Sequence, residues 1–190
     1  GIEDLRKKRI KMIGEPAERY REDPVRIIRA ARFAAKLASS GFKIEAKTAK
    51  PLTEMLGLLK EVPQSRMFDE MLKLLQTGHG AASIQTLREI GLAQGIYPLL
   101  DVIVQRGDEP LIKTALEDTD RRIAAEKGVS PSYLLACVLW RDVSELSAKK
   151  KARGAHPFPA LQEAIDEIFE TRIGDVSGRG KLAADMREIW

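Results

Sequence analysis

Glu22 and Asp23 stand four and three residues before Arg26, and Arg29 and Arg32 follow at steps of three. A carboxylate accepts hydrogen bonds and a guanidinium donates from a rigid fork, so at this helical spacing either acid can hold Arg26 in a set orientation. Pro24 suits a first helical turn, where its missing N–H costs nothing, and Asp23 before it is placed to accept from an exposed amide. A helix is therefore expected over 24–39. At about 100° per residue, Glu22, Arg26, Arg29, Phe33 and Lys36 share one face, and Ile27, Ile28, Ala31, Ala34, Ala35 and Ala38 share the opposite one. One side is core and the other is basic, the outline of a surface that reads a nucleotide.

The elements that must carry this surface read as helices almost throughout, and strand signals are absent, so the expected fold class is all-α. A basic helix over 4–13 stops near Gly14 and Pro16; after the break at Ser39, Ser40 and Gly41 comes a helix over 46–61, with Pro51 in its first turn and Leu52, Met55, Leu56 and Leu59 at core spacing. Further helices are expected over 65–77, 81–90, 110–127, 131–151, 158–171 and 180–190, with a loop around Pro98. Several begin at proline and end at glycine, as helix termini favour. With 190 residues and 44% hydrophobic content, the chain can bury one or two modest cores, which divides it naturally into two helical subdomains.

Charge is uneven along the chain. Residues 1–60 hold fifteen Lys or Arg against eight Asp or Glu, a net of +7, whereas the whole chain is +4. The basic end suits a polyanion, either a nucleotide triphosphate or an RNA strand. A single cysteine, Cys137, lies in an apolar run and is expected to be buried and unreactive. No apolar run approaches the ~20 residues that span a bilayer, and no signal-peptide pattern opens the chain, so the expected compartment is the cytoplasm.

The helix around Pro24 resembles the base-selecting helix of the class II nucleotidyltransferase superfamily, the bacterial poly(A) polymerases and CCA-adding enzymes. Upstream, Gly1-Ile2-Glu3-Asp4-Leu5 with Ile10, Ile13 and Gly14 looks like the end of that family's connector between catalytic head and helical neck. Downstream, Ser65-Arg66-Met67-Phe68-Asp69-Glu70-Met71-Leu72 is similar to its second neck motif, an arginine followed four residues later by an acid. The wording Arg19-Tyr20-Arg21-Glu22-Asp23-Pro24-Val25-Arg26, then Arg32-Phe33-Ala34-Ala35-Lys36-Leu37, looks like the poly(A) polymerase branch, as does the run from Tyr133 to Trp140. The likeness is strong over residues 1–77 and thinner after about 141.

The resemblance implies a neck over 1–78 that selects the base and a helical body over 79–190, truncated at its C-terminus. It implies transfer of AMP from ATP to RNA 3'-hydroxyls, with Mg2+ held by an N-terminal head. No such head precedes Gly1, so the chain is expected to be an excised piece without transfer activity of its own. Carried over residue by residue, Asp23 and Arg26 read the adenine edge and Glu22 orients Arg26. Arg29 and Arg32 contact the triphosphate or brace neighbouring helices, and Arg66 and Glu70 tie the base-reading helix into the neck. The expected partners are ATP and RNA 3' ends. A CCA-adding enzyme using the same helix for CTP and ATP is one alternative, and a non-catalytic RNA-binding helical module is another.

Other motifs carry less. Asp118-Thr119-Asp120 has the spacing of a metal pair, but two residues apart on a helix the carboxylates diverge by about 200°, so a solvated face is expected. The segment from Gly174 to Lys181 lacks the glycine-lysine-serine ending of a phosphate loop and reads as a flexible turn. His79 and His156 have no spaced partners for a metal set or a triad. Lys149, Lys150, Lys151 and Arg153 read as a basic helix end.

Overall fold

The computed structural model describes residues 1–92, 95–174 and 180–190. Helix α1 (Ile2–Arg6) is short: Lys8 takes a left-handed φ of 49° and the chain enters strand β1 (Arg9–Ile10). The helix expected over 4–13 therefore ends at Arg6. Its continuation is captured by a distant segment, because the amides of Lys43 and Glu45 donate to the carbonyls of Lys8 and Ile10 at 3.0 and 2.9 Å. This pairs β1 in parallel with β2 (Lys43–Ile44). Strands of two residues leave no alternation to detect, which is why the sequence carried no strand signal.

Helix α2 (Pro16–Glu22) was not anticipated, although Pro16 occupies its first turn. It is fixed by Tyr20, fully buried, whose hydroxyl donates to the Thr48 carbonyl at 3.0 Å. Helix α3 (Val25–Ala38) buries Val25, Ile27, Ile28, Ala30, Ala31 and Ala35, close to the expected apolar face. Ala38, expected on that face, is exposed at the last turn. Pro24 stands at the N-cap, and the Asp23 carboxylate before it accepts from the backbone amide of Val25, the first residue of the helix, as expected.

The segment expected as one helix over 46–61 divides into α4 (Ala46–Glu54) and a 3-10 turn, Leu56–Glu61. Pro51 lies inside α4 rather than in its first turn, and it removes one amide from the ladder just before the helix tightens. Helix α5 (Gln64–Leu75) buries Met67, Phe68, Met71, Leu74 and Leu75, with Leu72 only partly covered, and α6 (Gly80–Glu89) follows. Both α5 and α6 pack on α3.

Pro98 begins helix α7 (Pro98–Arg106) instead of lying in a loop; Tyr97 is extended at its N-cap, so proline is at the position its ring favours. Helices α8 (Pro110–Ala124), α9 (Pro131–Ala152), α10 (Pro157–Ile168) and α11 (Gly180–Ile189) follow, with a π-turn over Phe169–Ile173. Helix α9 packs against α8, α10 and α11 and buries every side chain from Leu134 to Leu139, including Cys137, whose thiol pKa is pushed up by burial. Asp142 of α9 accepts from Arg106 at 2.7 Å and Arg172 at 2.9 Å, joining α7 and the π-turn. The Tyr97 hydroxyl adds a buried bond to the Ile173 carbonyl at 2.7 Å. One apolar core runs from Tyr20 to Met186. Among the described residues, no helix is long and apolar enough to cross a membrane.

Candidate functional site

The corner between α2 and α3 brings Arg19, Glu22 and Arg26 together. Glu22 Oε2 accepts from Arg26 Nη1 at 2.9 Å and from Arg19 Nη1 at 3.1 Å. Arg26 Nη1 also donates to the Arg19 carbonyl at 2.9 Å. Glu22, not Asp23, is thus the acid that touches Arg26. The Arg26 hydrogen bond holds the Glu22 carboxyl below its ordinary pKa.

Asp23, extended at φ −149°, turns to α5. There Arg66 forms a fork with it, Nη1 to Oδ1 at 3.1 Å and Nη2 to Oδ2 at 2.9 Å. This charge-assisted pair lowers the Asp23 pKa and raises that of Arg66. Sequence spacing allowed either acid to hold Arg26; the bend between the two helices sends them apart.

Glu70 is the third acid, with a side chain only 4% exposed. Its Oε1 accepts from Arg29 Nε at 3.0 Å and Nη2 at 2.8 Å, with Lys73 Nζ at 3.5 Å. Its Oε2 has no hydrogen-bond partner, and Arg32 Nη1 stands 3.8 Å away. Burial pushes the carboxyl pKa up, but the Arg29 hydrogen bond and the charges of Arg29, Lys73 and Arg32 outweigh it and hold the group below its usual range. Arg66 and Glu70 therefore both join α5 to the α2–α3 corner.

Beside this network lies a cleft of about 290 Å³ between β1 and α3. Ile10, Met12, Ile13 and Phe33 give it apolar walls, and Arg19, Arg26 and Arg29 bring three guanidiniums to it. Phe33 is 46% exposed, and Arg32 lies over its ring at 5.3 Å from the centroid. Asp23 and Arg32 are not on the lining. Sequence reading missed Arg19 and the walls from β1, because both depend on elements it did not see. Larger clefts elsewhere, about 340 Å³ beside Asp142 and about 540 Å³ beside Tyr133, mix acids and bases without a comparable set of cations.

The remaining motifs take structural places. Asp118 is half-exposed and lies 3.6 Å from Arg121, while Asp120 accepts from the Gly80 and Ala81 amides at 2.7 and 3.3 Å. Asp120 thus caps α6 rather than facing solvent as expected. His79 and His156 stand at the N-caps of α6 and α10. Lys150 pairs with Glu167 and Glu163 of α10 at 2.7 and 3.4 Å. The expected turn between Gly174 and Lys181 has residues 175–179 outside the described residues. Among the described residues, no group of three His, Cys, Asp or Glu is arranged to hold a metal ion.

Comparison with known proteins bears on the same regions. Residues 41–103 match the family described as the probable RNA and SrmB-binding site of polymerase A, and residues 153–190 match the arginine-rich C-terminus of polymerase A. Over its whole length the chain is 36% identical to poly(A) polymerase I of Salmonella typhi and 35% identical to that of Haemophilus influenzae. The chain belongs to the bacterial poly(A) polymerase family. It spans 41% of the length of the Salmonella protein and 42% of the Haemophilus one. A multifunctional CCA protein of Xanthomonas campestris is 37% identical, over 54% of this chain and 25% of that protein. Its match is with part of the chain, whereas the poly(A) polymerases align throughout.

Proposed function

We propose that this chain is the base-selecting and RNA-holding helical part of a template-independent polymerase, one that transfers AMP from ATP to RNA 3'-hydroxyls with release of pyrophosphate in the cytoplasm. The observation that carries the proposal is the cleft between β1 and α3, apolar on its walls and edged by Arg19, Arg26 and Arg29. Such a space suits a flat base with a polyphosphate attached. Arg26, steadied by Glu22, donates to a ring nitrogen of adenine. Asp23 accepts from the exocyclic amine through a lone pair taken neither by Arg66 nor by the Val25 amide. A base with reversed donors and acceptors meets unpaired polar groups. Arg29 serves the triphosphate, Arg32 braces the neighbouring helices, and Arg66 and Glu70 hold the helices that present these groups.

The reading divides the chain into a base-selecting neck over 1–78 and a body over 79–190. The family implies Mg2+, but the described residues do not fit it: Asp118 and Asp120 have separate partners and no three-acid cluster is present among them. No metal-dependent step is therefore assigned here, and by this reading the chain alone does not transfer AMP. Exposed Lys8, Lys11, Lys43, Lys47 and Lys50, on or beside β1, β2 and α4, give RNA phosphates a place to bind.

The test is the ratio of catalytic efficiencies for ATP and CTP in the full-length protein. Arg26→Ala should lower that ratio roughly ten- to a hundredfold, the discrimination carried by one well-placed base contact. An unchanged ratio rules out the base-reading role. Comparable efficiencies for ATP and CTP in the unaltered protein favour CCA addition instead.

A further inference from the structure

Glu70 is paired in an unusual way. Arg29 directs both Nε and Nη2 at Oε1, leaving Oε2 buried and without a hydrogen bond, whereas Arg66 grips both oxygens of Asp23. Oε2 is one of two buried side-chain atoms left without a partner among the described residues; the other, Arg19 Nε, belongs to the neighbouring corner of the same cluster. Buried polar atoms are rarely left so. The group nearest to supplying one is Arg32 Nη1 at 3.8 Å, under about 1 Å beyond hydrogen-bond range.

The two arginines differ in freedom. Arg29 is 39% exposed and lines the cleft; Arg32 is 18% exposed, lies over Phe33 and is not on the lining. A carboxylate as buried as Glu70 must keep a counter-charge, so Arg29 can leave only if another cation replaces it. We propose that Arg29 turns from Glu70 into the cleft to take a phosphate oxygen of ATP, and that Arg32 is the positioning residue that closes on Glu70 Oε2 as it leaves. The proposal rests on reading the cleft as the ATP site. Lys73, 3.5 Å from Oε1, stays with the carboxylate in both arrangements. Glu70 is never left bare, and the guanidinium released carries its full charge to the ligand. Asp23 and Arg66, using every oxygen in their fork, have no such spare position and stay fixed.

The direct measurement follows arginine side-chain N–H resonances of the 15N-labelled protein during titration with ATP, adenosine or an oligoadenylate. ATP should move the Arg29 Nε–H signal and slow exchange of the Arg32 Nη–H groups, while adenosine, lacking phosphate, should do neither. An Arg29 signal unmoved at saturating ATP overturns the exchange, and a response to oligoadenylate without one to ATP reassigns the phosphate to RNA and overturns it as stated. In the full-length enzyme, Arg32→Met should trap Arg29 on Glu70 and raise KM for ATP ten- to a hundredfold. Adding Glu70→Gln weakens that trap and should bring KM back toward the starting value, which a merely structural role for Arg32 does not predict. A double variant that is folded yet worse than Arg32→Met overturns the proposal. Arg26→Ala separates the two readings: if it relaxes base choice while Arg32→Met leaves KM unchanged, the exchange alone fails.

Discussion

Glu22 Oε2 lies 2.9 Å from Arg26 Nη1, while both oxygens of Asp23 are engaged by Arg66. The site therefore contains two separate couplings, and neither joins Asp23 to Arg26. Double-mutant cycles on base choice should show Glu22 coupled to Arg26 and Asp23 coupled to Arg66, with Asp23 and Arg26 nearly additive. Strong coupling between Asp23 and Arg26 would contradict this geometry. Because Arg66 is 47% exposed, Arg66→Ala should lower stability by only roughly 0.5–1 kcal/mol, measured by urea unfolding, although it frees the carboxylate proposed to read the base. Base choice should suffer more than folding does.

The same pairs set an acid limit. The pKa values of Glu22, Asp23 and Glu70 all lie below their ordinary values in the folded protein. A carboxylate depressed by folding contributes its stabilisation in full above its unfolded pKa, near about 4, and loses it as pH falls through the lower folded value. Urea unfolding at a series of pH values should show stability steady near neutrality and declining below about pH 4. Asp23→Asn should be less stable at neutral pH and show a shallower acid decline; an equally steep decline in that variant would remove Asp23 from the set. The charged side chains and the local Glu22–Arg26 pair were legible in the sequence, but the pairs that join distant segments were not. Arg66 is 43 residues from Asp23, and Glu70 is 41 from Arg29.

Among the elements, legibility followed length and periodicity. Helix α3 shows its buried stripe in Val25, Ile27, Ile28 and Ala31, and α5 shows its own in Phe68, Met71 and Leu75. The β1–β2 pair was hidden because its hydrogen bonds join residues far apart in the chain. Losing β1 hid the cleft walls at Ile10 and Met12, and losing α2 hid Arg19. Asp120 is a similar case, since a helix-surface acid in sequence is the N-terminal cap of α6 in space. Gly80 fits beside it because an added Cβ would lie 3.2 Å from Asp120 Oδ1 and 3.1 Å from the Leu75 carbonyl. Asp120→Ala should lower unfolding free energy by about 1 kcal/mol through loss of the cap, whereas Asp118→Ala should change it by less than about 0.5 kcal/mol. Equal effects would show that the cap does not stabilise α6.

For the whole molecule, charge placement matters more than net charge. Lys150 is held by Glu163 and Glu167, while exposed Lys43, Lys47 and Lys50 make no ion pair among the described residues. Those three lie within residues 41–103, the region matching the probable RNA-binding site of polymerase A. A cation already neutralised by protein acids releases few counterions from RNA, and one facing solvent releases nearly its full share. If the proposed RNA role is correct, a single strand should bind with little sequence preference and with affinity that falls steeply as salt rises. Replacing Lys43, Lys47 and Lys50 together by alanine should reduce the slope of log K against log salt by about 2, near 0.7 for each phosphate no longer neutralised. Lys150→Ala should leave that slope unchanged. Titration of labelled oligoadenylate between low and moderate salt distinguishes the two sets. An unchanged slope in the triple variant, or a shallower one in Lys150→Ala alone, would move the RNA path from the β1–α4 side to the α9–α10 side.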